Sequence, residues 1–190
     1  MGKENVGKFI KKFDDIVKNI DVKAIIMAGL CGAADKSLSI GDVLIYENIS
    51  MLELLKDKIV CTGIEKTGFL KDTGLKAGTT NFLVSKSCQK VKIFNEFNIQ
   101  AVDMETYYIA RFALRKAIPF AAIRAVSDTA DQDLPDFFMD FSTGRKFSGT
   151  INMAKYILKP SNIKHLAQTY KGIKTALCNL TKVIEKLPLN

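Results

Sequence analysis

The sequence predicts a three-layer α/β/α fold, with a mixed, mostly parallel central sheet, helices on its faces and a helical carboxyl-terminal tail. Three observations carry this expectation. Apolar stretches of strand length alternate with amphipathic helical stretches, the order that builds a parallel sheet. Phe120 to Val126 is a nearly continuous apolar run, the pattern of a strand buried on both faces. From Ile163, the apolar positions Leu166, Ala167, Tyr170, Ile173, Leu177, Leu180, Ile184 and Leu187 keep a helical period to the terminus.

The elements follow in order. Val6, Phe9, Ile10, Phe13, Ile16, Val17 and Ile20 make Glu4 to Asn19 an amphipathic helix. Val22 to Ala28 reads as a short strand that runs into a small-residue turn, Gly29-Leu30-Cys31-Gly32-Ala33-Ala34, where a ligand could approach the backbone closely. Such a turn also suits a tight strand-to-loop connection on conformational grounds alone. Gly41-Asp42 precedes a strand from Val43 to Ile49, and Lys58 to Thr62 reads as an edge strand. Thr79 to Ser85, holding Phe82 and Leu83, is expected to be a strand, Lys86 to Phe97 a helix, and Ile99 to Asp103 a short strand. Met104 and Glu105 open a helix whose face is Tyr108, Ile109, Phe112 and Ala113, and Pro119 stops it. Phe147 to Leu158 forms another helix, ended by Pro160. The expected sheet core is Ile25, Val43, Val84, Val102, Ile123 and Val126.

Composition narrows the function classes. A chain of 190 residues with 47% hydrophobic and 25% charged residues suits a single globular domain. No apolar stretch approaches the roughly 20 residues of a membrane helix, and MGKENVGKF lacks the apolar core of a signal peptide, so no membrane partner and a cytoplasmic location are expected. Cys31, Cys61, Cys88 and Cys178 have no CxxC spacing and His165 is the single histidine, so no metal site is expected and the cysteines read as reduced, mostly buried thiols. The net charge of +8 comes from lysines placed singly on polar helix faces, without a basic run interleaved with aromatics, so no nucleic-acid partner is expected.

The candidate chemistry lies between Gln100 and Asp131. Asp128 follows a buried strand, and in open α/β sheets ligands bind beyond the carboxyl ends of strands. Glu105, at a helix start, lies at the same edge, so the two acids could face one pocket. The residues alone leave a structural alternative open, in which Asp128 caps the next turn and Glu105 favours a helix start. Phe137, Phe138 and Phe141, in a loop punctuated by Pro, Gly and Asp, either cap a pocket or fill core beneath the loop.

At Val102-Asp103-Met104-Glu105 and at Ile123-Arg124-Ala125-Val126-Ser127-Asp128-Thr129-Ala130-Asp131, the chain resembles the nucleoside phosphorylase superfamily. Within it, the nearest groups are the methylthioadenosine/S-adenosylhomocysteine nucleosidases and the hopanoid-associated phosphorylase-like nucleosidases, the tail from Pro160 being most like the latter. The family reads Glu-Met-Glu before the helix, where this chain has the shorter Asp103. The resemblance implies a phosphorylase-like fold and hydrolytic release of adenine from a 5'-substituted adenosine. Asp128 would be the general acid for the departing purine, in the Ser127-Asp128 motif beside the Gly29 to Gly32 turn. Glu105 would accept hydrogen bonds from the ribose hydroxyls, Met104 would pack on the sugar, and Phe82 would stack on the base beside the Leu83 backbone.

Two departures qualify what the resemblance implies. The family opens with strands before the loop that Met1 to Asn5 resembles, so an amino-terminally truncated single domain is expected. Phosphorylases of the family hold phosphate with an Arg and a Ser around the glycine turn, where this chain has Met27 and Leu30. No cofactor is expected, with phosphate a co-substrate only if the chain is a phosphorylase. A phosphorylase and a noncatalytic nucleoside-binding protein of this fold stand as the alternatives. The edge left by missing strands is expected to favour a homo-oligomer.

Overall fold

The structure is a computed structural model that describes residues 3–56, 58–71, 73–135 and 160–187. Six strands, β1 (Ile25–Ala33), β2 (Val43–Leu55), β3 (Lys58–Lys66), β4 (Leu75–Thr80), β5 (Ala101–Asp103) and β6 (Phe120–Asp128), form one sheet. Their order is β3-β2-β4-β5-β1-β6, and β6 also pairs with β2. The pairings of β2, β4, β5, β1 and β6 therefore close a circuit, with β3 attached to β2. The β1–β6, β2–β4 and β4–β5 ladders are parallel, while β1–β5, β2–β3 and β2–β6 are antiparallel.

Among the described residues four helices, α1 (Lys3–Asn19), α2 (Ser87–Phe97), α3 (Thr106–Arg115) and α4 (Pro160–Ile184), accompany the sheet. Side chains alternate across a strand. Phe120, Ala122 and Val126 of β6 join a cluster that includes Tyr107, Ile109 and Phe112 of α3, with Ile10 and Phe13 of α1 against it. Ile123 and Ala125, on the other face, pack with Ala176 and Leu180 of α4. Helices thus cover both faces of β6, which suits its nearly continuous apolar run.

Several boundaries differ from the sequence-based expectation for tertiary reasons. The glycine segment does not turn: β1 runs through it to Ala33, because β6 pairs with it residue by residue from Ile25↔Phe120 to Cys31↔Val126. The bend is confined to a register shift between Cys31 and Gly32. Conversely, the expected strand at Thr79 to Ser85 ends at Thr80, where Thr80 Oγ1 donates to the Phe82 carbonyl at 2.7 Å and turns the chain away. Val84 is buried outside the sheet, and Val43 is only half-buried, whereas Ile25, Val102, Ile123 and Val126 are buried strand residues. Pro160 begins α4, where its missing N–H costs nothing.

The cysteines also depart from expectation. All four are free thiols, but only Cys31 is buried. Cys61 lies on the edge strand β3, and Cys88 and Cys178 on outward faces of α2 and α4. Phe137, Phe138, Phe141 and the helix expected at Phe147 to Leu158 lie outside the described residues. None of the described helices is long and apolar enough to cross a membrane.

Candidate active site

Five chain segments converge near the carboxyl ends of β5 and β6. Between them lies a cavity of about 230 Å³ lined by residues that include Gly32, Leu83, Met104, Glu105, Ser127 and Asp128. Six of the eight sequence-predicted site residues therefore share one space. Phe82 is not among the lining residues; it packs against the Leu52, Val84 and Ile93 cluster beneath. Phe138 lies outside the described residues.

Asp103 organises the Glu105 side. Its Oδ1 accepts from the backbone N–H of Glu105 at 3.0 Å and of Thr106 at 2.9 Å, and from Thr79 Oγ1 at 2.9 Å. Thr106 Oγ1 donates to its Oδ2. Thr79 Oγ1 in turn accepts the Tyr107 N–H at 2.9 Å, so the first turn of α3 is capped from the ends of β4 and β5. Glu105, the formal N-cap, uses no side-chain cap bond and is left to line the cavity.

Arg124 lies behind this cap. Its Nε and Nη2 donate to Thr106 Oγ1 at 3.0 and 2.6 Å, and Nε is 3.6 Å from Asp103 Oδ2. A Cβ on Gly29 would fall 2.0 Å from Arg124 Nη1, so this part of the glycine segment makes room for a guanidinium. Burial works against the Arg124 charge, yet Asp103, Tyr46 and Glu105 more than offset it and its pKa is raised. Burial pushes the Glu105 carboxyl above its ordinary value; Asp103 adds to the rise and Arg124 opposes it. Cys31 also lines the cavity, but burial pushes its thiol up to about 12, so it is no thiolate nucleophile.

Asp128 is 5% exposed and both its oxygens are engaged. Ser127 Oγ lies 2.7 Å from Oδ1 and 3.1 Å from the Cys31 carbonyl. Oδ2 takes an ion pair from Lys90, a fully buried α2 lysine. A buried acid with a buried cation on it is a different environment from the end of a nearly continuous apolar run that the sequence suggests. The α2 start is also tied to the loop after β6, because Asp133 Oδ1 accepts the Ser87 N–H at 2.7 Å. That bond, ahead of the opposing effect of burial, lowers the Asp133 pKa.

Sequence reasoning missed Lys90, Arg124 and the capping function of Asp103. The interruption of an apolar strand by Arg124 was the one available signal; Lys90 sits among exposed lysines and gives none. Among the described residues no three His, Cys, Asp or Glu side chains group as a metal site would require.

Comparison with known proteins gives these features a context. Residues 65–146 match the phosphorylase superfamily. The chain is 28% identical over 149 residues to the 5'-methylthioadenosine/S-adenosylhomocysteine nucleosidase of Staphylococcus haemolyticus, a match covering 66% of this chain and 65% of that protein. The Staphylococcus epidermidis nucleosidase matches with the same identity and coverage. The match thus spans just under two thirds of the length of these relatives. Among solved structures, the futalosine hydrolase of Helicobacter pylori superposes with a TM-score of 0.59 at 15% identity, covering 98% of this chain and 77% of that one. The Helicobacter pylori 5'-methylthioadenosine/S-adenosylhomocysteine nucleosidase, solved with butyl-thio-DADMe-Immucillin-A, gives 0.57 at 15% identity, covering 94% and 75%. At these identities the structural likeness establishes the fold.

Proposed function

We propose that this chain, which matches the phosphorylase superfamily over residues 65–146, is a purine nucleosidase that hydrolyses the N-glycosidic bond of a 5'-substituted adenosine and releases adenine. The observation that carries this reading is that Asp128 and Glu105, from separate strand ends, line one cavity with Met104 and Ser127. Breaking a purine N-glycosidic bond builds positive charge on the sugar and negative charge on the base. A carboxyl at the base nitrogen lowers that barrier by giving its proton as the bond opens. A carboxylate with two acceptor oxygens, as Glu105 offers, suits a vicinal diol. Leu83 and Met104 supply apolar contact for base and sugar.

Water is favoured over phosphate as the second substrate. Among the described residues no arginine or lysine lines the cavity, and Met27 lies against Arg124, its Sδ 3.4 Å from Nη2. The test is adenine release from methylthioadenosine and adenosylhomocysteine, with and without inorganic phosphate. Release that does not depend on phosphate, with the free sugar as coproduct, is expected. A sugar 1-phosphate would make the chain a phosphorylase, and adenine binding without release would make it a noncatalytic binder. A homo-oligomer belongs to the same reading, through the β3 edge, and sedimentation checks it.

A further inference from the structure

We infer that Lys90 is a positioning residue for this reaction, acting on the departing base through Asp128; the inference rests on the nucleosidase reading above. A lysine on an amphipathic helix is ordinarily a solvated charge, and Lys92 on α2 is one, half-exposed and paired with Glu96 at 3.8 Å. Lys90 has no exposure at all. A buried ammonium is costly unless each of its donors is met. Here all three are: the Asp128 carboxylate, the Thr129 carbonyl at 2.9 Å and the Gln132 carbonyl at 2.9 Å.

This arrangement does two things at once. The carbonyl contacts fold residues 129–132 over the α2 helix, and the ion pair fixes the plane of the one carboxyl that lines the cavity at the end of β6. Ser127 holds its second oxygen. A helix-to-loop tie alone could be made by a neutral amide, and it would not need a cavity-lining acid as its counter-charge.

The reaction defines what the cation contributes. As the C1'–N bond breaks, its electron pair passes to the base, which takes the proton of the Asp128 carboxyl. Asp128 is left as a carboxylate, and water adds hydroxide to C1' while its remaining proton restores the acid. Lys90, in contact with Asp128 Oδ2, meets the carboxylate charge as it forms. The geometry this requires is present, with Lys90 Nζ on Asp128 Oδ2.

Lys90→Met, compared with the unaltered chain, tests this on two ribosides: methylthioadenosine, and a nitrophenyl riboside whose leaving group departs without a proton. We expect kcat for methylthioadenosine to fall about a hundredfold, with KM within a few-fold and nitrophenyl riboside cleavage within a few-fold of the parent. Lys90→Arg, which keeps a cation, should recover part of the loss. An equal fall on both ribosides would make Lys90 a structural tie only, and full activity on methylthioadenosine would remove it from the reaction; either overturns the inference while leaving the nucleosidase reading in place. If the unaltered chain cleaves neither riboside, that reading fails and the role of Lys90 falls with it.

Discussion

Asp103 caps the helix that Glu105 begins: Asp103 Oδ1 accepts the Glu105 N–H at 3.0 Å, and Glu105 keeps its own carboxyl for the cavity. The two acids of this short segment therefore divide structure and chemistry between them. Asp103→Ala would leave Arg124 buried without its carboxylate partner and the α3 cap broken. We expect a loss of about 3–5 kcal/mol in urea unfolding. Asp103→Asn keeps a carbonyl oxygen for the cap and should lose less.

For the chemistry, Asp128→Asn should lower turnover by about a hundredfold or more with nucleoside affinity within a few-fold, because the acid acts on the leaving base. Glu105→Gln should damage affinity together with rate, since its sugar contacts exist in the bound substrate as well as in the transition state. Steady-state kinetics on methylthioadenosine separates the two patterns. Full turnover in Asp128→Asn would return Asp128 to a purely structural role.

The pH dependence should carry the mark of Glu105. Burial first, then Asp103, raises its pKa above the ordinary 4.5. Within the window from 4.5 up to its folded value, the folded chain binds more protons than the unfolded chain. Stability contributed by this group is therefore present in acid and lost as pH rises through the window. Nucleoside affinity should run the other way, because the ribose contacts need the carboxylate. Affinity should fail on acidification at a pH above that of an ordinary glutamate. Glu105→Gln should flatten both trends, in calorimetric binding and in urea unfolding measured across the same pH series.

Helix α4 bears on the site through one close approach. A Cβ on Gly172 would lie 2.5 Å from the Ser127 carbonyl oxygen and 3.3 Å from Ile40 Cδ1. The backbone oxygen cannot move without shifting Asp128. Gly172→Ala should destabilise by about 1–3 kcal/mol despite the better helix propensity of alanine, and should lower turnover as well. Equal stability of variant and parent by urea unfolding would mean that α4 is free to slide.

Much of the architecture was legible because it rests on short-range periodicity. The apolar run of β6, the face of α3 and the long period of α4 each encode burial within one element, and each forms where that pattern lies. The spacing of Met104-Glu105 and Ser127-Asp128 was legible too, since the cavity needs only that β5 and β6, on either side of β1, both end beside it. Strand limits were less so. Gly29 to Ala33 has the composition of a turn, and it remains a strand because β6 and β5 supply its hydrogen-bond partners.

The electrostatic interior belongs to the tertiary structure alone. Lys90 and Asp128 are 38 residues apart, and nothing near Lys90 in the chain distinguishes it from the solvated Lys92. The charge is stable inside because three acceptors reach it from the end of β6 and the following loop. Arg124 and Asp103 are settled the same way, by a strand and a helix start brought together across the sheet. The sequence by itself determined which elements form and where two acids could meet. Folding decided which acid caps the helix and which keeps its carboxyl free of the cap, because burying a charge depends on partners that only long-range packing can supply.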